Sequence, residues 1–253
     1  MIAHVVKAAL AARTVSNVLV ATDHHAIASA AERAGAHAVM TDSALPTGTD
    51  RVAAAMRLSG AHADVVVNVQ GDEPLIEPSA IDLTARLLLT YAAADIATLS
   101  APLPGSALLD FNKVKVVCGD PLEAPLAHDD RMAHERCRRA LYFSRAPIGV
   151  ERSALSDLLQ TGGNAVENSV VESAARLHVG LYAFRPLALQ RFVSLPPSPI
   201  EQLEQLEQLR ALEAGMMIAV GEVDHAARGV DTEDDLRWLE QQWQQGQPRS
   251  GVR

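Results

Sequence analysis

The chain has 253 residues, enough for one large domain or two small ones, and enough to bury a core without disulfides or a structural metal. It is 48% hydrophobic and 21% charged, as soluble globular proteins are, with only 4% aromatics. The formal net charge of −9 argues against a general nucleic-acid binder, because phosphate backbones attract basic faces; an acidic substrate would have to meet local Arg or Lys or a metal ion.

In chain order, Met1 to Arg13 reads as a helix, with Ile2, Val5, Val6, Ala9 and Leu10 on one face. Asn17 to Asp23 is a short buried strand, Ala26 to Ala34 a helix closed by Gly35, and Ala38 to Met40 a strand. Leu45 to Asp50 reads as a loop and Arg51 to Leu58 as a helix. Asp64 to Gln70 (DVVVNVQ) is the clearest strand, apolar without alternation, as a central strand covered on both faces should be. Ser79 to Tyr91 is helical and Ile96 to Pro102 extended. Val114 to Val117, Ala140 to Ser144 and His178 to Phe184 read as strands, and Gly119 to Arg139 is a charged segment without a strong pattern. After the PPSP turn, Pro199 to Ala214 reads as one helix with Leu203, Leu206 and Leu209 on one side. Met217 to Val220 is a late strand. Thr232 and Asp235 form a capping-box pattern ahead of a final helix. The alternation predicts a three-layer α/β domain with a mostly parallel sheet. One domain is expected over 1–240, with a β-rich excursion, and a polar tail over 241–253.

The start lacks a signal-peptide pattern, and no apolar run approaches the ~20 residues of a membrane helix. Cys118 and Cys137 imply no disulfide framework, and a reducing cytoplasm is the simplest setting. Neither cysteine has a visible base partner. No P-loop, GxSxG or zinc-spaced Cys/His cluster is present.

Open α/β sheets bind ligands beyond the carboxyl ends of their strands. Asp72 and Glu73 follow the clearest strand at that position. Asp72 could hold a hard cation such as Mg²⁺, or could simply cap a turn. Asp231, just before the last helix, allows the same two readings, and two carboxylates from distant strand ends can share one Mg²⁺. Thr47 to Arg51 opens a helix whose backbone N–H groups could meet an anion, although a routine N-cap by Thr49 or Asp50 explains it equally. His178, near Tyr182 and Arg185 in its strand, could be a packing or surface residue. Glu207 and Gln208 could belong to a solvated face.

Taken together, NVLVATD, TGTDR, VVNVQGDEP, VKVV, ALYFSRAPI, HVGLYAFR, PPSPIEQLEQLEQLR and GVDTEDDL occur in an order that resembles the 3-deoxy-manno-octulosonate (Kdo) cytidylyltransferases, from Met1 to about Glu240. The resemblance implies a Rossmann-like nucleotidyltransferase fold with a β-rich excursion for sugar binding and dimerisation. It also implies transfer of CMP from CTP to the acidic sugar Kdo with release of diphosphate, for lipopolysaccharide biosynthesis, in a cytoplasmic, Mg²⁺-dependent homodimer without nucleic-acid or membrane partners. By motif, Asp72 and Asp231 would be the catalytic magnesium carboxylates. Thr22, Asp23, Thr49 and Arg51 would fall on the nucleotide side. Gln70 and Arg145 would lie near the sugar, with His178, Tyr182, Glu207 and Gln208 lining its pocket. Phosphoryl-type transfer suits such a set, since it needs charge neutralisation and in-line alignment more than a covalent nucleophile. Two alternatives accompany this reading: CMP-sialate synthesis, which shares fold and reaction, and a truncated non-catalytic homologue that only binds ligand or dimerises.

The chain departs from the family in three places. Members begin with a strand and a basic phosphate loop, whereas Met1-Ile2-Ala3-His4-Val5 matches the helix that follows. That strand normally lies centrally, so both neighbouring strands are expected to carry unpaired backbone groups. The segment 119–139 is longer than usual, and 165–176 is unfamiliar, with Leu177 where an Arg often stands.

Overall fold

The structure is a computed structural model and describes residues 1–123, 137–161, 173–230 and 232–245. Its first half alternates helix and strand: α1 (Ile2–Ala11), β1 (Leu19–Thr22), α2 (His25–Arg33), β2 (His37–Met40), α3 (Gly48–Ser59), β3 (Val66–Asn68), α4 (Pro78–Thr90) and β4 (Ile96–Ala101). The middle holds α5 (Gly105–Leu108), β5 (Lys115–Pro121), β6 (Cys137–Ser144), α6 (Arg152–Thr161) and β7 (Ala175–Phe184). The chain ends with α7 (Pro186–Ser194), α8 (Pro199–Glu204), α9 (Gln208–Glu213), β8 (Ile218–Glu222) and α10 (Glu233–Gln244).

The main sheet has the order β3-β7-β4-β8-β6-β5. β4 and β8 are parallel, and β3 and β4 both run antiparallel to β7. β6 runs antiparallel to β8, and β5 to β6. Hence β3, β4, β5 and β8 share one direction, and the reversed β6 and β7 are interleaved among them. β7 shifts register between Thr98 and Leu99 of β4 and uses its first residues to pair with β5 as well. The ladders β7–β4–β8–β6–β5 thereby close on themselves, which removes exposed edges. The β-rich excursion is this ring.

Alternation along β7 sends Tyr182 and Phe184 to one face and Leu181 and Ala183 to the other. The first face packs on Phe143, Phe192, Leu209 and Ile218. The second packs on α4 through Ile81 and Leu88.

β1 and β2 form a separate two-stranded parallel sheet. Its core is small: Val6, Val20, Ala31 and Ala36. Among the described residues β1 pairs only with β2, and β3 only with β7. The expected break between the strands either side of the sheet's centre is therefore present. DVVVNVQ forms a ladder over only Val66–Asn68, because one of its two edges has no strand beside it.

Four local expectations are corrected. Pro199 to Ala214 is two short helices, broken where Gln205 adopts a left-handed φ of 55°. Leu206 and Leu209 are buried, while Leu203 is exposed. The cap of α3 is Thr47, whose hydroxyl accepts from the Asp50 N–H at 3.2 Å, rather than Thr49 or Asp50. The part of 119–139 that is described belongs to the paired arms of β5 and β6, with residues 124–136 outside the described set. The last helix runs to Gln244, past the expected start of the tail, and Trp243 stacks on His4 with ring centroids 4.0 Å apart. The Thr232–Asp235 capping box forms as expected.

Candidate active site

The N-terminus of α3 is the meeting point of three strand ends. Arg51 in its first turn pairs with Asp23, just after β1, at 3.6 Å. Arg51 also donates to the Thr41 hydroxyl, just after β2, at 2.8 Å. Gly48 lies under the Gln70 amide beyond β3, where an added Cβ would meet it at 3.3 Å. The carboxyl ends of β1, β2 and β3 thus face the same way, as the rule for open α/β sheets requires of a ligand site. Thr22, buried at the end of β1, accepts from the His24 N–H at 3.1 Å and fixes the turn that carries Asp23.

A relay of hydrogen bonds leads inward from there. Gln70 donates to Asn68 (3.3 Å), Asn68 to the Thr49 hydroxyl (3.4 Å), and Thr49 to the Glu207 carboxylate (2.6 Å). Thr49 therefore stands with the residues expected to line the sugar pocket, and not with Thr22, Asp23 and Arg51. Burial raises the Glu207 carboxyl above its ordinary range, opposed by its bonds to Thr49 and Thr47. Its second oxygen, Oε2, and the neighbouring Gln208 Nε2 are buried without a hydrogen-bond partner. Leaving such atoms unmatched costs about 1–3 kcal/mol each, so an unmatched acceptor beside an unmatched donor is suited to a polar ligand.

Tyr182 pairs in register with Asn68 and sits beside Glu207; burial and that carboxylate push its phenol upward. The His178 ring lies 5.4 Å from the Tyr182 ring and edge-on to Phe143, and its Nε2 is 3.0 Å from the Thr98 hydroxyl. Burial pushes its imidazole down to about 3, so the ring is neutral at physiological pH. Gln70, Thr49, Glu207, Tyr182 and His178 are thus brought together.

Arg145 is held apart, donating to the carbonyls of Glu204 (2.8 Å), Phe111 (3.1 Å) and Gln205 (3.4 Å). Its own carbonyl accepts from the fully buried Lys115 ammonium. The ammonium also donates to Asp110 and Lys113 carbonyls, and desolvation lowers its pKa. Both cations support the loop that holds Glu204, whose carboxylate accepts from Ser144 at 2.7 Å.

Asp72 is exposed in the turn after β3, and its carbonyl accepts from the Val230 N–H at 2.9 Å. Asp231 lies outside the described residues. Its predecessor Val230 and successor Thr232 are placed, so the chain enters and leaves that position beside Asp72 and at the start of α10. Among the described residues no three His, Cys, Asp or Glu side chains gather into a metal cage. That donor set fits Mg²⁺, which takes one or two carboxylates and leaves its remaining positions to water and phosphate oxygens.

Residues 1–218 match the cytidylyltransferase family. The chain belongs to that family. Among curated cytidylyltransferases, the 3-deoxy-manno-octulosonate cytidylyltransferase of Anaeromyxobacter sp. (strain Fw109-5) is 46% identical over 93% of this chain and 83% of its own length. The one from Bdellovibrio bacteriovorus is 40% identical over the same shares. A solved structure of CMP:2-keto-3-deoxy-manno-octonic acid synthetase complexed with CTP is similar across 97% of this chain and 88% of that one. The TM-score is 0.78 at 33% identity. A nucleotidyl transferase from Methanothermobacter thermautotroptrophicus, at 14% identity and a TM-score of 0.51, shares the fold. The α/β nucleotidyltransferase architecture expected from the motifs is therefore the architecture found, and the chain is of an enzyme family that transfers nucleotides.

Sequence reasoning passed over Asn68, Lys115 and Glu204. Asn68 was readable as a polar residue inside an otherwise apolar strand. Lys115 and Glu204 carried no local signal, since a lysine in VKVV and a glutamate in EQLEQLEQL both read as solvent-facing. The cysteines are plain core residues: burial raises Cys118 to about 11 and Cys137 to about 12, leaving both as unreactive thiols.

Proposed function

We propose that this chain transfers CMP from CTP to the anomeric hydroxyl of 3-deoxy-manno-octulosonate. The sugar oxygen forms a bond to the α-phosphorus, the bond from that phosphorus to the diphosphate oxygen breaks, and the hydroxyl proton is lost. The observation that carries the reading is the relay from Gln70 to Glu207, ending in an unmatched buried acceptor on Glu207 and an unmatched donor on Gln208. An acidic, hydroxyl-rich sugar offers the complementary groups. Tyr182 and neutral His178 would close the pocket as uncharged walls that do not compete for the sugar's carboxylate. Arg51 would face the nucleotide, with Asp23 and Thr41 holding its guanidinium. Asp72 and Asp231 would hold Mg²⁺, which supplies charge screening at the phosphates when bound. We assign the enzyme to the cytoplasm, as a homodimer in lipopolysaccharide precursor synthesis. In the described residues no helix is long and apolar enough to cross a membrane.

The test is diphosphate release by the purified chain with CTP and Mg²⁺, using Kdo and sialic acid side by side. Turnover with Kdo alone is the expected result, and turnover with sialic acid instead would reassign the sugar. Asp72→Asn and Asp231→Asn should each reduce turnover steeply while CTP binding weakens less; unchanged rates would remove both from the metal site. The break between β1 and β3 favours one further reading, a chain that binds the sugar without turnover. Sugar binding by calorimetry with no diphosphate release would identify it.

A further inference from the structure

Between the two sheets lies a slot of about 1100 Å³. One side is the edge of β1 and the other the edge of β3, through Val20 and Ala21 on one strand and Val66 and Val67 on the other. α1 roofs it with Val5 and Val6, and α3 floors it with Val52 and Ala55. Neither strand has a ladder partner on its slot side among the described residues. Two opposite walls therefore present backbone N–H and C=O groups, and the other two present small apolar side chains.

That cross-section selects its occupant by elementary chemistry. A lipid chain or small apolar molecule would satisfy α1 and α3 but leave both rows of peptide groups unmatched, at roughly 1–3 kcal/mol for each buried group. A helix would match neither edge, since its own peptide groups are internally bonded. An extended polypeptide matches all four walls at once, with hydrogen bonds to both sides and alternate side chains up and down. Its direction is set too. β1 and β3 both end at the N-terminus of α3, so a strand between them continues the local parallel order. Since β1 has four residues and β3 three, it would span about five.

We propose that the slot between β1 and β3 receives one added β-strand from a separate polypeptide, parallel to both and hydrogen-bonded to both, with small β-branched side chains on its two faces. The inference concerns binding alone and does not depend on the sugar or nucleotide assignments.

The experiment mixes the full chain with a synthetic eight-residue peptide rich in Val and Ala, with a Lys at each end for solubility. Two controls run beside it: the same peptide with alternate backbone amides N-methylated, and laurate. Native mass spectrometry reads stoichiometry and hydrogen exchange reads the site. The expected result is a one-to-one complex in which amides of both β1 and β3 exchange at least tenfold more slowly. The N-methylated peptide should give at least tenfold weaker binding. Four results would overturn the proposal: no saturable complex, equal binding of the methylated peptide, protection confined to β2 or another edge, or laurate binding that excludes the peptide. Because none of these readouts is turnover, failure here is distinguishable from failure of the proposed activity.

Discussion

The two sheets are built from similar sequence material and are held in different ways. The six-stranded sheet closes its ladders into a ring and fills both faces with large side chains. Phe143, Phe184, Phe192 and Ile218 are each at most 2% exposed on one of them. The β1–β2 unit has a core of two valines and two alanines and one free flank along the slot. Each apolar side chain contributes in proportion to the area it removes from water, so an alanine-lined core contributes far less per residue than a phenylalanine-lined one. The catalytic groups are divided along the same line. The residues that gather around Glu207 rest on the ring, whereas Thr22 and Asp23 rest on the smaller unit and are tied to the rest through Arg51. Local unfolding should follow the division, with β1 and β2 opening at lower free energy than β4 and β8.

The largest expected effects lie in the ring. Phe184→Ala should cost about 3–5 kcal/mol by urea unfolding, as cavity creation in a dense core does. Arg210→Ala should cost a comparable ~3–5 kcal/mol, because it strands the buried Glu201 carboxylate that the guanidinium now grips at 2.8 Å and 2.5 Å. Next comes Val20→Ala in the smaller unit, at roughly 1.5 kcal/mol for two methyl groups, with faster amide exchange confined to β1, β2 and α2. A Val20→Ala cost matching that of Phe184→Ala, or exchange that rises equally everywhere, would erase the distinction between the sheets. Thr47→Ala should cost about 1 kcal/mol through the lost α3 cap, and loosen Arg51 with it.

The smallest effect is one of pH. The unfolded chain protonates His178 below pH 6.5, while the folded ring stays neutral down to about 3. Its depressed value means that the stability is present above pH 6.5 and is lost as pH falls from 6.5 toward 3. His178→Gln should therefore reduce the loss of stability between pH 7 and pH 5 by roughly 1 kcal/mol, and parallel losses in the two proteins would remove the assignment. Because His178 sits in the ring, the change should leave the exchange of β1 unaltered.

How much could be read in advance depends on the range of the forces involved. Helix periodicity, the capping box at Thr232 and the apolar run before Asp72 depend on neighbours a few residues apart, so they were legible. The single helix drawn through EQLEQLEQL failed because its repeat of three carries no mark of the left-handed residue at Gln205. Among the site residues, the motif resemblance assembled Gln70, Tyr182, His178 and Glu207 correctly in space. Thr49 went to the other side because a bond between residues 49 and 207 has no local signature. Lys115 stayed hidden for a related reason: its burial is tolerable only where three carbonyls from distant turns converge on one ammonium.

The length and charge of the opening arithmetic thus take on more definite meanings. By itself the sequence determined the alternation of helix and strand, the acidic turn after β3, the family and the break expected near the sheet's centre, since hydrophobic spacing and ordered motifs are written along the chain. Only the tertiary structure decided that the break is a slot with two strand edges for walls, that the later strands close into a ring, and that Thr49 answers to Glu207. Those outcomes depend on pairing and packing between residues tens to hundreds of positions apart, and such contacts become definite only when the whole core settles at once.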